Sequence, residues 1–400
     1  MIDLKAARHD PEPWRAALAR KGAAEAFDTL LAADERWRSL VPRIDELRAL
    51  TKPKGKPTPT ELAGLQAVKE ELRGAEEALA AAEAARDEAA LRVPNRPADD
   101  VPDGATEDDA VELRRVGEPV ALEAPREHTE VGRFDMERAA RLSGARFGYW
   151  IGDTALLSLA LYRFALDRLA AKGFLTVLPP VLVREEALIG TGAFPSDQTN
   201  IYALPDDGLY LAGTAEIPLA SLHAGEILPA DELPLRYVAF SPCFRREAGA
   251  AGRDTRGMVR VHQFNKVEQF SLTRPEDSGD EHEALLANTE ELVRELGLPY
   301  RVVVLPAGDM SSASAKTYDV EIWFPTQERY REVASISNTT DFQSRRLGIR
   351  ARSASGGIEP VHMLNGTAVV DRMALAILEN FQGEVPDALL PYGAPASITR

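Results

Sequence analysis

Two long stretches in the first quarter of the chain carry apolar residues at helical spacing. Residues 28–50 and 60–92 are rich in Ala, Leu, Glu and Arg, and their apolar side chains recur every three or four positions. These positions are Leu30, Leu31, Leu40, Ile44, Leu47, Leu62, Leu65, Val68, Leu72 and Leu79. Residues 51–59 (TKPKGKPTP) cannot continue a helix, because proline removes a hydrogen bond and clashes with the preceding turn. The pattern predicts two antiparallel helices with a basic tip, typical either of a dimerisation coiled coil or of an arm that reaches a distant partner, and the lysines favour the arm.

From about residue 146 the pattern becomes mixed. Residues 156–172 predict an amphipathic helix, and the apolar run at residues 174–183 contains Pro179 and Pro180, which suit an edge or interface strand. Further strands are predicted at residues 208–212, 236–244, 258–272, 300–304, 319–324 and 332–337. Further helices are predicted at residues 216–225, 280–296, 340–347 and 371–382. Many strands with few βαβ alternations predict an α+β domain, an antiparallel sheet flanked by helices.

Composition narrows the class of protein. The chain has 400 residues, 44% of them apolar, which predicts two or three domains with a sizeable core. It has no apolar run of signal-peptide or membrane-spanning length, so we expect a soluble cytosolic protein. The net charge of −16 argues against a surface coated all over by nucleic acid, although it permits a local basic contact. Cys243 is the single cysteine and is predicted to be a buried strand residue; the histidines show no metal-ligand spacing, so no zinc is expected.

Three motifs carry the candidate chemistry. FRRE at residues 244–247 places a carboxylate two residues after an arginine, and RVHQFNKVE at residues 260–268 places an arginine, an aromatic ring and a carboxylate at steps of four. NGTAVVDR at residues 365–372 ends in an arginine at the start of a predicted helix. Such groups can hold a nucleoside triphosphate and an amino acid together. The chain contains neither a P-loop nor a G-x-G-x-x-G fingerprint, so two common designs of nucleotide site are absent.

These motifs also resemble a known family. Together with MIDL at residues 1–4, TGAFP at 191–195, TAE at 214–216, KTYD at 316–319 and SNTTDFQ at 337–343, the chain resembles class II seryl-tRNA synthetases of the bacterial type nearly end to end. The resemblance implies an N-terminal tRNA-binding domain at residues 1–105, with its helical arm at about residues 28–92, and a class II catalytic domain at residues 106–400. It implies a homodimer with the Pro179–Pro180 segment near the interface.

The implied activity is that of a serine–tRNA ligase. L-serine is activated with Mg-ATP to seryl-adenylate and pyrophosphate, and the serine is then transferred to the 3′-terminal adenosine of a serine tRNA. Both reactants of the first step are anions, so cations must neutralise their approach and the transition state. By the resemblance, the catalytic residues are Arg245, Arg260 and Arg372. Arg245 would touch both the α-phosphate and the serine carboxylate, since a guanidinium can fork to two oxygens.

The resemblance assigns the remaining site residues as well. ATP is expected to contact Arg245, Glu247, Arg260, Val261, Phe264, Glu332, Ser335 and Arg372. Within this set Phe264 would stack on adenine, Glu247 would accept from its amino group, and Glu332 with Ser335 would hold Mg²⁺, which prefers hard oxygen ligands.

Serine is expected to contact Thr214, Glu216, Arg245, Glu268, Asn365 and Thr367. Thr214 and Glu216 match the element that contacts the ammonium, whereas Glu268 and Thr367 match the positions that read the hydroxyl. A buried site built for a hydroxyl rejects alanine, because its polar groups would be left unpaired. Lys52, Lys54 and Lys56 at the tip of the arm are candidates for contact with tRNA phosphates.

The sequence departs from the family pattern at three places. The arm is short, Met363 stands where a threonine is frequent, and Asp371 stands where small or neutral residues are usual. An acid at this position would orient Arg372 or weaken its hold on phosphate. These departures fit a divergent or duplicate copy of the enzyme. Two alternative functions are an amino acid–carrier-protein ligase on the same fold, whose members lack the arm, and a non-catalytic paralogue that binds serine or tRNA.

Overall fold

The computed structural model describes residues 1–52, 58–119, 121–248, 257–352 and 356–399, except the side chains of residues 60 and 61. The chain forms two compact units, Met1–Arg96 and Pro97–Arg400. The functional division after residue 105 stays a prediction.

The first unit is helical and contains the predicted hairpin. Its helices are α1 (Leu4–His9), α2 (Pro11–Ala19), α3 (Ala24–Leu50) and α4 (Pro59–Arg92). The Arg86 guanidinium lies 4.3 Å from the centre of the Trp37 ring, and Arg48, near the end of α3, pairs with Glu76 at 2.9 Å, so α3 and α4 run antiparallel. Lys52 is exposed just beyond α3, whereas Lys54 and Lys56 lie outside the described residues.

The interface between α3 and α4 is narrow. Large side chains on α3, such as Phe27 and Leu47, are fully buried, whereas α4 buries small ones such as Ala82 and Ala90. Small residues let two helices approach closely over a long distance, at the expense of buried area. The hairpin is therefore a narrow arm.

The second unit is built on strands. They are β1 (Val111–Val116), β2 (Phe134–Asp135), β3 (Tyr149–Trp150), β4 (Leu175–Val177), β5 (Leu182–Val183), β6 (Ala203–Leu204), β7 (Leu209–Leu211), β8 (Ile227–Pro229), β9 (Leu235–Phe244), β10 (Gln263–Thr273), β11 (Tyr300–Val304), β12 (Lys316–Phe324), β13 (Arg329–Asn338), β14 (Arg350–Arg352), β15 (Ile358–Pro360) and β16 (His362–Val370). Eight of them form one sheet in the order β1-β11-β12-β13-β16-β10-β9-β4, antiparallel except for the β4–β9 pair. The remaining strands form smaller sheets of two or three strands.

Helices cover this sheet. They are α5 (His128–Val131), α6 (Met136–Ser143), α7 (Asp153–Ala171), α8 (Glu185–Thr191), α9 (Glu216–Ala220), α10 (Ser278–Glu295), α11 (Phe342–Leu347) and α12 (Asp371–Phe381). The main core lies between the sheet and α7, α10 and α12, and buries residues such as Phe164, Val293 and Leu375. Cys243 is buried in β9, as predicted. The predicted α+β class, with an antiparallel sheet flanked by helices, is confirmed.

Several predicted boundaries were wrong. The strand expected at residues 258–272 begins at Gln263, because the preceding segment starts from a left-handed Gly257 and its backbone bonds outside the ladder, as when the His262 N–H donates to the Arg146 carbonyl. The helix expected at residues 216–225 ends at Ala220 and continues as one 3₁₀ turn. The apolar run at residues 174–183 divides into β4 and β5, and the predicted edge position of β4 is confirmed.

Candidate active site

All predicted catalytic-domain site residues border one cavity of about 620 Å³. It is lined by Thr214, Glu216, Arg245, Glu247, Arg260, Val261, Phe264, Glu268, Glu332, Ser335, Asn365, Thr367 and Arg372. The central strands β10, β13 and β16 carry six of these thirteen residues, so the rigid middle of the sheet fixes the spacing of those six.

Arg245 follows the last residue of β9 and is exposed to the cavity. Its guanidinium carbon lies 5.3 Å from the centre of the Phe264 ring, and its Nε donates to the Gly213 carbonyl at 3.3 Å. The terminal nitrogens of Arg245 form no hydrogen bond with any residue that the structure describes. The arrangement offers two donors for an anion beside an aromatic face.

Glu247 and Arg260 form an ion pair at 2.5 Å across the mouth of this region. Glu247 has a φ of 52°, an uncommon backbone conformation for a side-chain-bearing residue that marks a tightly constrained turn. This ion pair links the turn that carries Glu247 to the segment that begins at Arg260. A ligand that binds one of the two side chains therefore competes with the other side chain for it.

Arg372 lies in the first turn of α12 and points towards β13. Its guanidinium donates to the Glu332 carbonyl in a short contact and to the Val259 carbonyl at 3.4 Å, and it lies 3.6 Å from the Glu332 carboxylate. The Ser335 hydroxyl is 3.4 Å from the same carboxylate. A half-buried cation, a carboxylate and a hydroxyl therefore converge at one end of the cavity.

The oxygen groups at this end fit a hard divalent cation. Behind them Asp319 is buried, and its Oδ1 has no hydrogen-bond partner among the described residues. Burial, followed by the charge of Glu332, raises the pKa of the Asp319 carboxyl well above its usual range. No cluster of three or more His, Cys, Asp or Glu residues in the described part of the chain could hold a metal by itself. Glu332 and Ser335 suit a Mg²⁺ ion whose remaining ligands come from phosphates and water.

The other end of the cavity holds a network of buried polar groups. Glu268 is 1% exposed, forms a short ion pair with Lys266, and accepts from the Thr214 hydroxyl at 3.2 Å. The Lys266 ammonium donates to the same hydroxyl at 2.7 Å. Thr367 lies directly opposite Glu268 in the β10–β16 register. A small hydroxyl entering this end would meet several fixed polar partners.

Glu216 closes the pocket from α9. Its carboxylate accepts from the amides of Gln343 at 2.7 Å and Asn365 at 3.0 Å. Burial, and then the negative charge of Glu268, raise the pKa of the Glu216 carboxyl above its usual range. A ligand cation placed between these two carboxylates would relieve their repulsion. Ala215 is the N-cap of α9, and the Thr214 hydroxyl accepts from the Glu216 N–H at 3.2 Å.

Sequence reasoning missed Lys266 and Gln343 as site residues. Lys266 alternates with Phe264 and Glu268 along β10, so the three side chains share one face of the strand, and this period of two was a usable signal. Gln343 lies in a helix far along the chain and carried no local signal.

The segment that precedes Arg260 is anchored by a buried histidine. The Met258 N–H donates to His128 Nε2 at 3.0 Å, so His128 Nδ1 carries the hydrogen and donates to Glu379 at 2.7 Å. His128 and Glu379 are 3% and 0% exposed. A Cβ on Gly257 would lie 2.4 Å from His128 Nε2, which shows how closely the backbone approaches the ring.

Replacing His128 with alanine is expected to lower the free energy of unfolding by about 3 kcal/mol, because it removes the ring donor to the buried Glu379 carboxylate and leaves the Met258 N–H without its acceptor. The KM for ATP should rise, since Arg260 follows the released segment. Urea denaturation and nucleotide titrations measure the two effects. His282→Ala is a matched control, because His282 is also 3% exposed and bonds the Ile336 carbonyl at 2.9 Å. This variant should be less stable than the unmodified protein but should have the same KM for ATP. Equal KM values in the two variants would refute the anchoring role.

Comparison with known proteins places the chain in a family. Residues 1–97 match the seryl-tRNA synthetase N-terminal domain, and residues 202–381 match the core domain of class II tRNA synthetases for G, H, P, S and T. The serine–tRNA ligase of Thermobifida fusca is 46% identical over 414 residues, which cover 98% of this chain and 97% of the relative. The chain belongs to the seryl-tRNA synthetase family. The family prediction drawn from the motifs is thus confirmed.

Other members of the seryl-tRNA synthetase family agree with this assignment. The serine–tRNA ligase of Mycolicibacterium vanbaalenii is 45% identical over 410 residues, with 98% of each chain covered. The crystal structure of seryl-tRNA synthetase from Pyrococcus horikoshii complexed with ATP superposes with a TM-score of 0.93, at 38% identity and over 100% of both chains. The likeness extends over the helical arm as well as the catalytic unit.

Proposed function

We propose that this member of the seryl-tRNA synthetase family activates L-serine with ATP and transfers it to a serine tRNA in the cavity described above. The observation that carries the proposal is the placement of Arg245, Arg260 and Arg372 in one cavity with the Glu216–Glu268 pocket. The first group suits a triphosphate and the second suits a small amino acid with a cationic and a hydroxyl group.

In the first step a serine carboxylate oxygen bonds to the α-phosphorus of ATP. The bond from that phosphorus to the bridging oxygen breaks, and pyrophosphate leaves with the electron pair. The attacking carboxylate is already ionised, so no general base is needed. Arg245 neutralises the approach of the two anions, and its free terminal nitrogens can fork between them.

The outer phosphates are held at the opposite end. Arg260 and Arg372 contact them, while Phe264 stacks on adenine and Glu247 accepts from the adenine amino group. Glu332 and Ser335 would hold Mg²⁺, which supplies neutralisation of the phosphate charge when bound. The ion pair between Glu247 and Arg260 must loosen as the nucleotide enters, so binding and local rearrangement are coupled.

Serine is selected by its ammonium and its hydroxyl. Glu216, held by two amides, receives the ammonium, and Glu268 with Thr367 receives the hydroxyl. Alanine would offer Glu268 and Thr367 no hydroxyl group to bond, and threonine would need room for an additional methyl group beside them.

In the second step the terminal hydroxyl of tRNA attacks the seryl-adenylate carbonyl, the ester bond forms, and AMP leaves. The helical arm of the first unit suits contact with a distant part of the tRNA, and Lys52 is an exposed phosphate contact at its end. The match of residues 1–97 to the N-terminal domain of the family disfavours the carrier-protein ligase, and the complete site disfavours the non-catalytic paralogue.

We further infer a cytoplasmic homodimer. Leu175, Leu178 and Leu182, which flank the Pro179–Pro180 segment, are 63%, 77% and 42% exposed, and such a cluster of exposed leucines is a surface that a second copy would cover. No helix of the described residues has the length and apolar character needed to cross a membrane. Sedimentation analysis tests the dimer, and Leu178→Glu should shift it towards monomer.

The activity is tested by serine-dependent exchange of pyrophosphate into ATP, with alanine, glycine and threonine as comparisons, followed by charging of a serine tRNA. We expect exchange with serine alone, and charging of the tRNA. Exchange without charging would favour the carrier-protein ligase. No exchange with any amino acid would overturn the enzymatic proposal.

A further inference from the structure

The carboxyl group of Asp371 joins three elements behind the nucleotide end of the cavity. Its Oδ2 accepts from the Asn265 N–H of β10 at 2.7 Å. Its Oδ1 accepts from the Ser158 hydroxyl of α7 at 3.3 Å and from the Tyr162 hydroxyl in a shorter contact. The residue is 6% exposed, borders the cavity, and directly precedes Arg372 on α12. The expectation that Asp371 orients Arg372 is therefore wrong, because its carboxyl bonds other groups.

None of the partners of Asp371 is a cation. Arg372 turns its guanidinium to the carbonyl oxygens of Glu332 and Val259, and Lys266, on the neighbouring strand, turns its ammonium into the serine pocket. No residue in the described ranges forms an ion pair with Asp371. Among the described residues, the Tyr162 hydroxyl is the one titratable group that forms a hydrogen bond with it. An ionised Asp371 is thus a buried negative charge held by neutral donors alone.

Both protonation states of Asp371 are accessible near neutrality. Burial raises the pKa of its carboxyl to about 7, although the hydrogen bonds from Asn265 and Ser158 lower it. The group is therefore neutral below that pH and ionised above it. In either state it can accept from the Asn265 N–H, and when protonated it can donate to a neighbouring hydroxyl oxygen. The hydrogen-bonded arrangement around Asp371 is therefore retained while the charge of its carboxyl group changes.

A bound triphosphate would shift the equilibrium between the neutral and ionised forms of Asp371. ATP brings several negative charges to Arg372, one residue away, and a nearby anion disfavours the ionised form of a carboxyl group. Since linkage is reciprocal, the neutral form of Asp371 must then bind ATP more tightly than the ionised form.

We propose that Asp371 takes up a proton from solvent when ATP binds, so that the charge of this carboxyl group makes the affinity for the nucleotide depend on pH. The inference rests on the proposed function, in which the cavity holds ATP. It explains how a buried acid can be tolerated beside a polyanion.

Calorimetric titration with α,β-methylene-ATP, which cannot be cleaved at the reacting bond, tests the proposal directly. Proton uptake is obtained from titrations in two buffers of different ionisation enthalpy. At about pH 7.5 the unmodified protein should take up roughly half a proton more per nucleotide than Asp371→Asn, which mimics the neutral acid. The Kd of the unmodified protein, divided by that of the variant, should rise about three- to tenfold from about pH 6.5 to about pH 8.5. The phosphates of the nucleotide titrate equally in both proteins, so they cancel in the ratio.

Two further variants keep the test decisive. Tyr162→Phe removes a donor to the ionised carboxylate, so the midpoint of the pH dependence should move upward, and this measurement stands even if Asp371→Asn fails to fold. Glu290→Gln is the matched control: Glu290 is also buried and accepts from the Tyr300 hydroxyl at 2.9 Å, outside the cavity. It should leave proton uptake unchanged.

The proposal is overturned if Asp371→Asn takes up as many protons per nucleotide as the unmodified protein and if its Kd changes with pH in the same way. An unmoved midpoint in Tyr162→Phe would overturn it as well. If serine-dependent pyrophosphate exchange is normal in the same preparations, the proposed function still stands. If nucleotide binding takes up a proton but no exchange occurs, the inference about Asp371 stands and the proposed enzymatic function is overturned.

Discussion

Arg245→Lys lowers the kcat of serine-dependent pyrophosphate exchange by about 100-fold, and Arg245→Ala lowers it by about 1,000-fold. Lysine keeps the positive charge but offers no planar fork, so it cannot bridge the carboxylate and the α-phosphate. The Phe264 ring also loses its stacked guanidinium, which lies 5.3 Å from the ring centre. Since the interaction forms fully in the transition state, kcat should fall more than the KM for ATP rises.

The neighbouring arginine provides the control for this prediction. Arg246 lies in the same turn, but its guanidinium stacks on Tyr202 at 5.0 Å, and the residue does not line the cavity. Arg246→Lys should retain kcat within about threefold, as expected for a surface change. Similar losses in the two lysine variants would show that the turn, and not the Arg245 guanidinium, is needed.

Glu268→Gln raises the KM for serine by about 100-fold and weakens discrimination against alanine. The substitution keeps the size of the side chain, but it leaves the buried Lys266 ammonium without its counter-charge and presents a donor where the serine hydroxyl needs an acceptor. The KM for ATP should change little, because Glu268 lies at the other end of the cavity from Arg372. Exchange kinetics with serine and alanine as substrates measure all three quantities.

The ion pair between Glu281 and Arg236 provides a control that separates an effect on serine recognition from an effect on stability. Glu281 is 5% exposed and pairs with Arg236 at 2.6 Å, outside the cavity. Glu281→Gln should lower the melting temperature as much as Glu268→Gln does, with an unchanged KM for serine. If both variants raise that KM to the same extent, Glu268 does not read the hydroxyl.

Local patterns in the sequence determined the larger elements. Helical spacing over residues 28–50 and 60–92 is long enough to specify a hairpin, and runs of alternating or apolar residues specified six of the eight strands of the main sheet, whereas β1 and β16 were not predicted. Local sequence did not predict the structure of residues 258–262, where β-like composition is overridden by the left-handed Gly257 and by the hydrogen bonds that this segment donates to His128 and to the Arg146 carbonyl.

Local periodicity and recognisable motifs specify the helical arm, most strands of the antiparallel sheet and the residues that line the cavity, because each of these depends on neighbours within a few positions. Which of these groups bond one another is set by tertiary packing. Asp371 meets Tyr162 across 209 positions, Glu379 meets His128 across 251, and Gln343 meets Glu216 across 127. Such contacts arise from the packing of helices on a sheet, and the charge state of a buried carboxyl follows from that packing, so no local pattern along the chain records them.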